Sequence, residues 1–182
     1  MIRLFVAIDF PEEIKEMLSR LCFGLPGARW VSEDQLHLTL RFIGEVDGGI
    51  FQDIRDGLGD IKADPLTLVL KGTGFFPPRK KPRVLWVGLQ KNDLLVTLRN
   101  RIEGKLTALG LEPETRKFSP HITLARLKNT PVSKVTRFLS SNNLFATPPF
   151  PVREFYLYSS FLTGKGAIHR REASYPLDEQ SW

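Results

Sequence analysis

The chain has 182 residues, a formal net charge of +6 and a hydrophobic fraction of 42%. That is enough apolar material for one large domain or two intimate lobes, and it excludes a disordered chain. No apolar run approaches the ~20 residues of a membrane span, and a single cysteine, Cys22, excludes an internal disulfide.

Met1 to Ile8 reads as a strand and meets Asp9 and Pro11 too early for a signal peptide. The lone thiol fits a cytoplasmic protein, and Cys22 on a helix face reads as a small core residue. The basic excess favours anionic partners without establishing nucleic-acid binding by itself.

Asp9, Pro11, Glu12 and Glu13 open a helix, since proline suits the first turn and carboxylates suit the positive end of the dipole. Ile14, Met17, Leu18 and Leu21 follow at helical spacing, and Gly24, Pro26 and Gly27 end the run. An extended piece at Trp30 leads to a strand over Gln35 to Ile43. Gly48 and Gly49 break it. A second helix carries Ile50, Phe51, Ile54, Leu58 and Ile61, and a strand follows over Leu66 to Lys71.

The series then restarts. Arg83 to Leu89 is an apolar strand like the first. Asn92 or Asp93 caps a helix with Leu95, Leu98, Ile102, Leu106 and Leu109 on one side. Phe118 to Leu127 is a strand, Thr130 caps a helix that Pro131 begins, and Val152 to Leu162 is a long strand. A turn at Thr163-Gly164-Lys165-Gly166 returns the chain through Ala167 to Leu177.

The two series match in element order and are offset by nearly the same interval throughout. Two copies are too few for a solenoid. They predict an α+β fold: a bilobal pseudo-two-fold duplication, with two antiparallel sheets lining a central cleft and helices packed outside. The halves run roughly over 1–75 and 83–160, crossing over between lobes, with a C-terminal hairpin over 152–177.

At the centre of each half stands the same tetrad, His37-Leu38-Thr39-Leu40 and His121-Ile122-Thr123-Leu124. On a strand, alternation puts His37 and Thr39 on one face and the two leucines on the other; the second copy repeats this. Histidine both takes and gives a proton near neutral pH. Two histidines facing one site can serve as base and acid of a single displacement, and a threonine hydroxyl beside each can donate to a phosphoryl oxygen. No metal or cofactor is required. The symmetry alone does not say which histidine is base and which acid.

The segments His37-Leu38-Thr39-Leu40-Arg41-Phe42-Ile43-Gly44 and Ser119-Pro120-His121-Ile122-Thr123-Leu124-Ala125-Arg126 resemble the paired signatures of the 2H phosphoesterase superfamily. They are most similar to its RNA 2′,3′-cyclic phosphodiesterase branch, long called 2′-5′ RNA ligases. Phe75-Phe76-Pro77 through Pro82-Arg83-Val84-Leu85-Trp86 also resembles that branch. The resemblance implies both histidines in a central cleft and hydrolysis of a terminal 2′,3′-cyclic phosphate to a 2′-phosphate. It implies His121 as the base that activates water and His37 as the acid that protonates the departing 3′ oxygen. Thr39 and Thr123 would hold the phosphate. Where the family has an aromatic in the last hairpin, this chain has His169.

Other substrate contacts are expected nearby. Arg41 continues the His37 face by alternation; Arg126 has the opposite parity to His121, yet the resemblance favours it. Either alternatively makes a structural ion pair. Arg79, Lys80, Lys81 and Arg83 form a proline-stiffened basic loop, read either as a solvated surface or as a lip that tracks an RNA backbone. Phe76 and Trp86 are candidates to stack a base, or belong to the core. His169, beside Arg170 and Arg171, reads as a surface residue.

The expected partners are RNA ends or small cyclic-phosphate nucleotides, bound by a monomer with no membrane contact. Transfer RNA halves, oligoadenylates, a cyclic nucleotide or an ADP-ribose derivative all fit. Ligation needs the same residues as hydrolysis. The competing reading is a non-catalytic RNA-binding module of the same fold. A zinc site built on the two histidines lacks the third and fourth ligands that zinc takes.

Overall fold

A computed structural model describes residues 1–180. Strand β1 (Ile2–Ile8) runs through the middle of one sheet, and its last five residues are all buried. It is flanked by the first tetrad strand, β3 (Leu38–Val46), and by the long strand β9 (Glu154–Thr163). β10 (Gly166–Pro176) completes the four-stranded order β10-β9-β1-β3. In the second sheet β6 (Val84–Leu89) takes the place of β1. It lies between the second tetrad strand, β7 (Ile122–Leu127), and β5 (Leu70–Phe76), with the short β2 (Ala28–Trp30) beyond β7. All pairings are antiparallel. The fold is thus the expected α+β duplication with two antiparallel sheets.

A third, two-stranded sheet joins β4 (Leu66–Leu68) to β8 (Phe150–Val152), the equivalent short strands of the two halves. The strands predicted over Leu66 to Lys71 and Val152 to Leu162 are therefore each broken. Val69 and Arg153 hand the chain from the small sheet to a large one. After these breaks the halves cross: β5 pairs with β6, and β9 pairs with β1.

The helices are α1 (Glu12–Ser19), α2 (Gly48–Leu58), α3 (Asp93–Ala108) and α4 (Val132–Ser141). Helix α3 turns Leu95, Leu98, Ile102 and Leu106 inward, all essentially inaccessible, and packs against α2 and β3. Asn92 caps it as expected, accepting from the Leu95 amide at 3.0 Å. Asp47, which the Gly-Gly break had hidden, caps α2 through the Ile50 amide at 2.9 Å; such caps contribute about 1 kcal/mol each. Thr130 does not cap α4. Its hydroxyl donates to the Pro26 carbonyl at 2.7 Å instead, tying that loop to the one before β2. The strand predicted from Gln35 starts at Leu38, because Glu33–Gln35 closes a 3₁₀ turn first.

The most consequential departure from a regular strand occurs at the same place in both halves. Opposite β1, Val6 pairs with Arg41 and Ala7 with Thr39, so Leu40 is an extra residue. Opposite β6, Leu85 pairs with Ala125 and Trp86 with Thr123, so Leu124 is extra. Each tetrad strand is bulged just after its threonine, and a bulge reverses which residues face which side. Below it Leu38, Leu40, Ile122 and Leu124 are buried at 3% exposure or less.

The residues opposite the threonines are mismatched in size. Lobe one puts Ala7 opposite Thr39 and Tyr156 beyond it; lobe two puts Trp86 opposite Thr123 and Gly74 beyond it. A Cβ built at Gly74 would overlap the Trp86 ring. Gly74→Ala is therefore expected to destabilise by about 1–3 kcal/mol through overpacking, read as a lower urea midpoint at unchanged slope. An unchanged midpoint would contradict this packing.

Candidate active site

Each tetrad histidine sits one residue before its strand begins, at an end that a backbone carbonyl fixes. His37 Nδ1–H donates to the Gln35 carbonyl at 2.6 Å, and His121 Nδ1–H to the Ser119 carbonyl at 2.8 Å. The spacing, two residues back, is the same in both. It puts a proton on Nδ1 of each ring and leaves Nε2 outside that bond. An aromatic ring braces each imidazole: Phe5 lies 5.0 Å from His37, and Phe76 meets His121 edge-on at 4.9 Å. Thr39 and Thr123, like both histidines, are half-buried on the face opposite the tetrad's aliphatics.

Burial pushes the His37 imidazole down to about 4; the Gln35 carbonyl and the Asp9 charge partly offset this, and the charges of His169 and His121 lower it further. In the free protein His37 is therefore neutral at pH 7, with an Nε2 lone pair.

His169 is not the surface residue expected from sequence. It lies 5.3 Å from His37 and 4.9 Å from Phe5, half-buried, and burial lowers its proton affinity too. With His37, Asp34, Tyr158, Ile168 and Arg171 it borders a cavity of about 270 Å³. Sequence reasoning missed Tyr158 and Arg171. The signal was the hairpin: register puts Arg171 opposite Tyr158 and His169 opposite Ser160, and alternation then puts His169 and Arg171 on one face. Gln35 Nε2 donates to the Ala167 carbonyl at 2.5 Å, which pins the hairpin beside His37.

The bulges decide the two arginines. Past its bulge, Arg41 turns inward instead of continuing the His37 face. It is 9% exposed, its Nε lies 2.6 Å from Glu103 Oε2, and its other nitrogens donate to the carbonyls of Glu112, at 2.6 Å, and Phe42. Burial raises the Glu103 carboxyl, but the Arg41 hydrogen bond and charge and the Glu114 amide leave it below the usual range. The expectation that Arg41 meets substrate is thus corrected: its guanidinium is committed to a structural ion pair. The next residue, Phe42, takes the cleft face, 6.1 Å from Phe5 and 59% exposed. Arg126 is the counterpart of Phe42 in the second half and is exposed. The bulge at Leu124 likewise removes the parity objection to Arg126.

Trp86 packs 5.3 Å from Phe76 in the second lobe. The basic loop follows Phe76 directly, and Lys81 Nζ is held by Asn129 Oδ1 at 2.6 Å. Among the described residues no group of three or more His, Cys, Asp and Glu side chains is arranged to hold a metal ion. No helix among them is long and apolar enough to cross a membrane.

The LigT-like phosphoesterase family model matches the chain twice, over residues 8–86 and 87–169. An RNA 2′,3′-cyclic phosphodiesterase of Thermotoga maritima is 36% identical over 176 residues, covering 92% of this chain and 91% of that one. Its counterpart in Archaeoglobus fulgidus is 34% identical, covering 92% and 96%. The structure of Escherichia coli LigT complexed with 3′-AMP superposes with a TM-score of 0.78 at 28% identity, covering 98% and 99%.

Two stability measurements test this geometry. A buried neutral histidine binds fewer protons folded than unfolded, so stability falls as pH drops from about 6.5 towards 4. His37→Gln is expected to lose less stability than the parent between pH 7 and pH 4.5, by roughly 1–3 kcal/mol in urea melts. Arg41→Met, which strands Glu103, is expected to cost about 3–5 kcal/mol. Equal acid sensitivity in the first case, or a neutral effect in the second, would contradict these placements.

Proposed function

This chain belongs to the LigT-like phosphoesterase family, and from that premise we propose that it opens the 2′,3′-cyclic phosphate at an RNA end to a 2′-phosphate. The two histidines act as base and acid and no metal takes part. The observation that carries this reading is the paired restraint: each Nδ1 is tied to a carbonyl two residues back, and each Nε2 is left for chemistry. The relatives named RNA 2′,3′-cyclic phosphodiesterase support it.

In this mechanism His121 Nε2 takes a proton from water as its oxygen attacks phosphorus. The 3′ oxygen departs in line on the opposite side and receives a proton from Nε2 of His37. The P–O3′ bond breaks, a P–O bond to water forms, and proton exchange with solvent resets both rings. Assigning His121 as base and His37 as acid follows the family resemblance. A His37 that is neutral in the free protein gains its proton as the anionic phosphodiester arrives, because an adjacent negative charge favours the imidazolium.

Thr39 and Thr123 hydroxyls donate to the non-bridging oxygens, where charge accumulates. Arg126, brought to the same face by the bulge, adds a cation there. Phe76 braces His121 and borders the basic loop of Arg79, Lys80, Lys81 and Arg83, which meets the RNA backbone. Ligation uses the same groups, with a 5′-hydroxyl in place of water. We place the reaction in the cytoplasm, carried out by a monomer.

Activity measurements in excess chelator test this reading. His37→Ala and His121→Ala are each expected to lower kcat by 10²–10⁴-fold with the fold intact. The His37 loss should shrink on a para-nitrophenyl phosphodiester, whose departure needs no proton, while the His121 loss should not. Arg126→Ala should lower activity without lowering stability, the reverse of the Arg41 variant. The acid limb of kcat/KM is expected near pH 4, and that of kcat at higher pH. Loss of turnover in chelator, or RNA binding unaffected by both histidine changes in a protein that never turned over, would refute the proposal.

A further inference from the structure

From His37 a run of aromatic rings crosses the face of its own sheet. On that face the rings of Phe5, Tyr158 and Tyr156 follow one another, with centroids 5.2 and 5.9 Å apart. They lead to a second cavity of about 230 Å³, between Asp9 to Pro11 on one side and Pro151 to Glu154 with Tyr156 on the other. Asp9 borders both cavities. In the other lobe Trp86 lies over Gly74.

The connecting ground carries stacking surface and charge. The Arg171 guanidinium carbon sits 3.8 Å over the Tyr156 ring, and 44% of its side chain is exposed. Asp9 holds Arg171 at 2.7 Å and Lys15 at 2.9 Å, so two cations meet one carboxylate. On the far rim Arg153 and Glu154 are both exposed. With Asp34, which borders the first cavity, three carboxylates face three cations here, and Arg153 and Arg171 are the exposed guanidinium groups among them. In-line displacement adds a direction. With water entering beside His121 and the 3′ oxygen leaving beside His37, the ribose lies on the lobe of His37. The nucleotide joined to that ribose through its 5′ oxygen then has this face to lie on.

We propose that the second cavity is a subsite for the nucleotide that precedes the cyclic-phosphate end. Its base stacks on the Tyr156–Arg171 pair, and the phosphodiester joining it to the terminal nucleotide meets the exposed guanidinium groups of Arg171 and Arg153. This rests on the phosphodiesterase reading above and names its substrate class: RNA ends of two or more nucleotides in preference to mononucleotides.

The test compares kcat/KM for a dinucleotide ending in a 2′,3′-cyclic phosphate with that for a nucleoside 2′,3′-cyclic phosphate, at low and high salt. The dinucleotide is expected to be favoured by roughly ten-fold or more, less so at high salt. Arg153→Glu should remove most of that preference and leave mononucleotide turnover unchanged; Tyr156→Leu should also reduce the preference. Equal turnover of both substrates would overturn the subsite while leaving the phosphodiesterase reading in place. So would a preference that neither variant alters. Hydrolysis of neither substrate would overturn the reading itself.

Discussion

The site depends on one small interaction made twice: an imidazole Nδ1–H donated to the backbone carbonyl two residues upstream. The carbonyls of Gln35 and Ser119 belong to the chain entering each tetrad strand, so the strand that positions the threonine also orients the histidine. Neither ring can turn its other nitrogen away from the cleft without breaking that bond. Aromatic contacts from other strands of the same sheet, Phe5 on β1 for one ring and Phe76 on β5 for the other, hold the plane from a second direction.

The bulge after each threonine is the second constraint. It lets two aliphatics seal the core while histidine and threonine face the cleft, and it then reverses the alternation. The same device gives opposite outcomes with different residues. At the first residue past it, one half has Arg41, buried against Glu103, and the other has the small Ala125. At the second, one half has Phe42 and the other Arg126. The duplicated frame thus holds a symmetric pair of histidine–threonine faces with different neighbours, Phe42 in one half and Arg126 in the other.

How far the sequence could be read follows from this. The His-x-Thr faces, the capped α3 and the order of elements were legible because they rest on local periodicity and side-chain chemistry. The bulges were not, since an extra residue is set by the register against a partner strand and leaves no compositional mark at Leu40 or Leu124. Simple alternation therefore favoured Arg41 and disfavoured Arg126. The breaks at Val69 and Arg153 were hidden for a similar reason: apolar patterning continues across a change of sheet. His169, Arg171 and Tyr158 reach the site only through the register of the final hairpin and the pairing of β9 with β1, which no stretch of sequence reveals alone.

A structure of the protein with a uridine–vanadate complex, which mimics pentavalent phosphorus, tests the central claim most directly. The account predicts the vanadium between the lobes, with the two apical oxygens on opposite sides. One should lie within about 3 Å of His121 Nε2 and the other, from the ribose, within about 3 Å of His37 Nε2. An apical oxygen facing solvent, or facing His169 in place of His37, would contradict it.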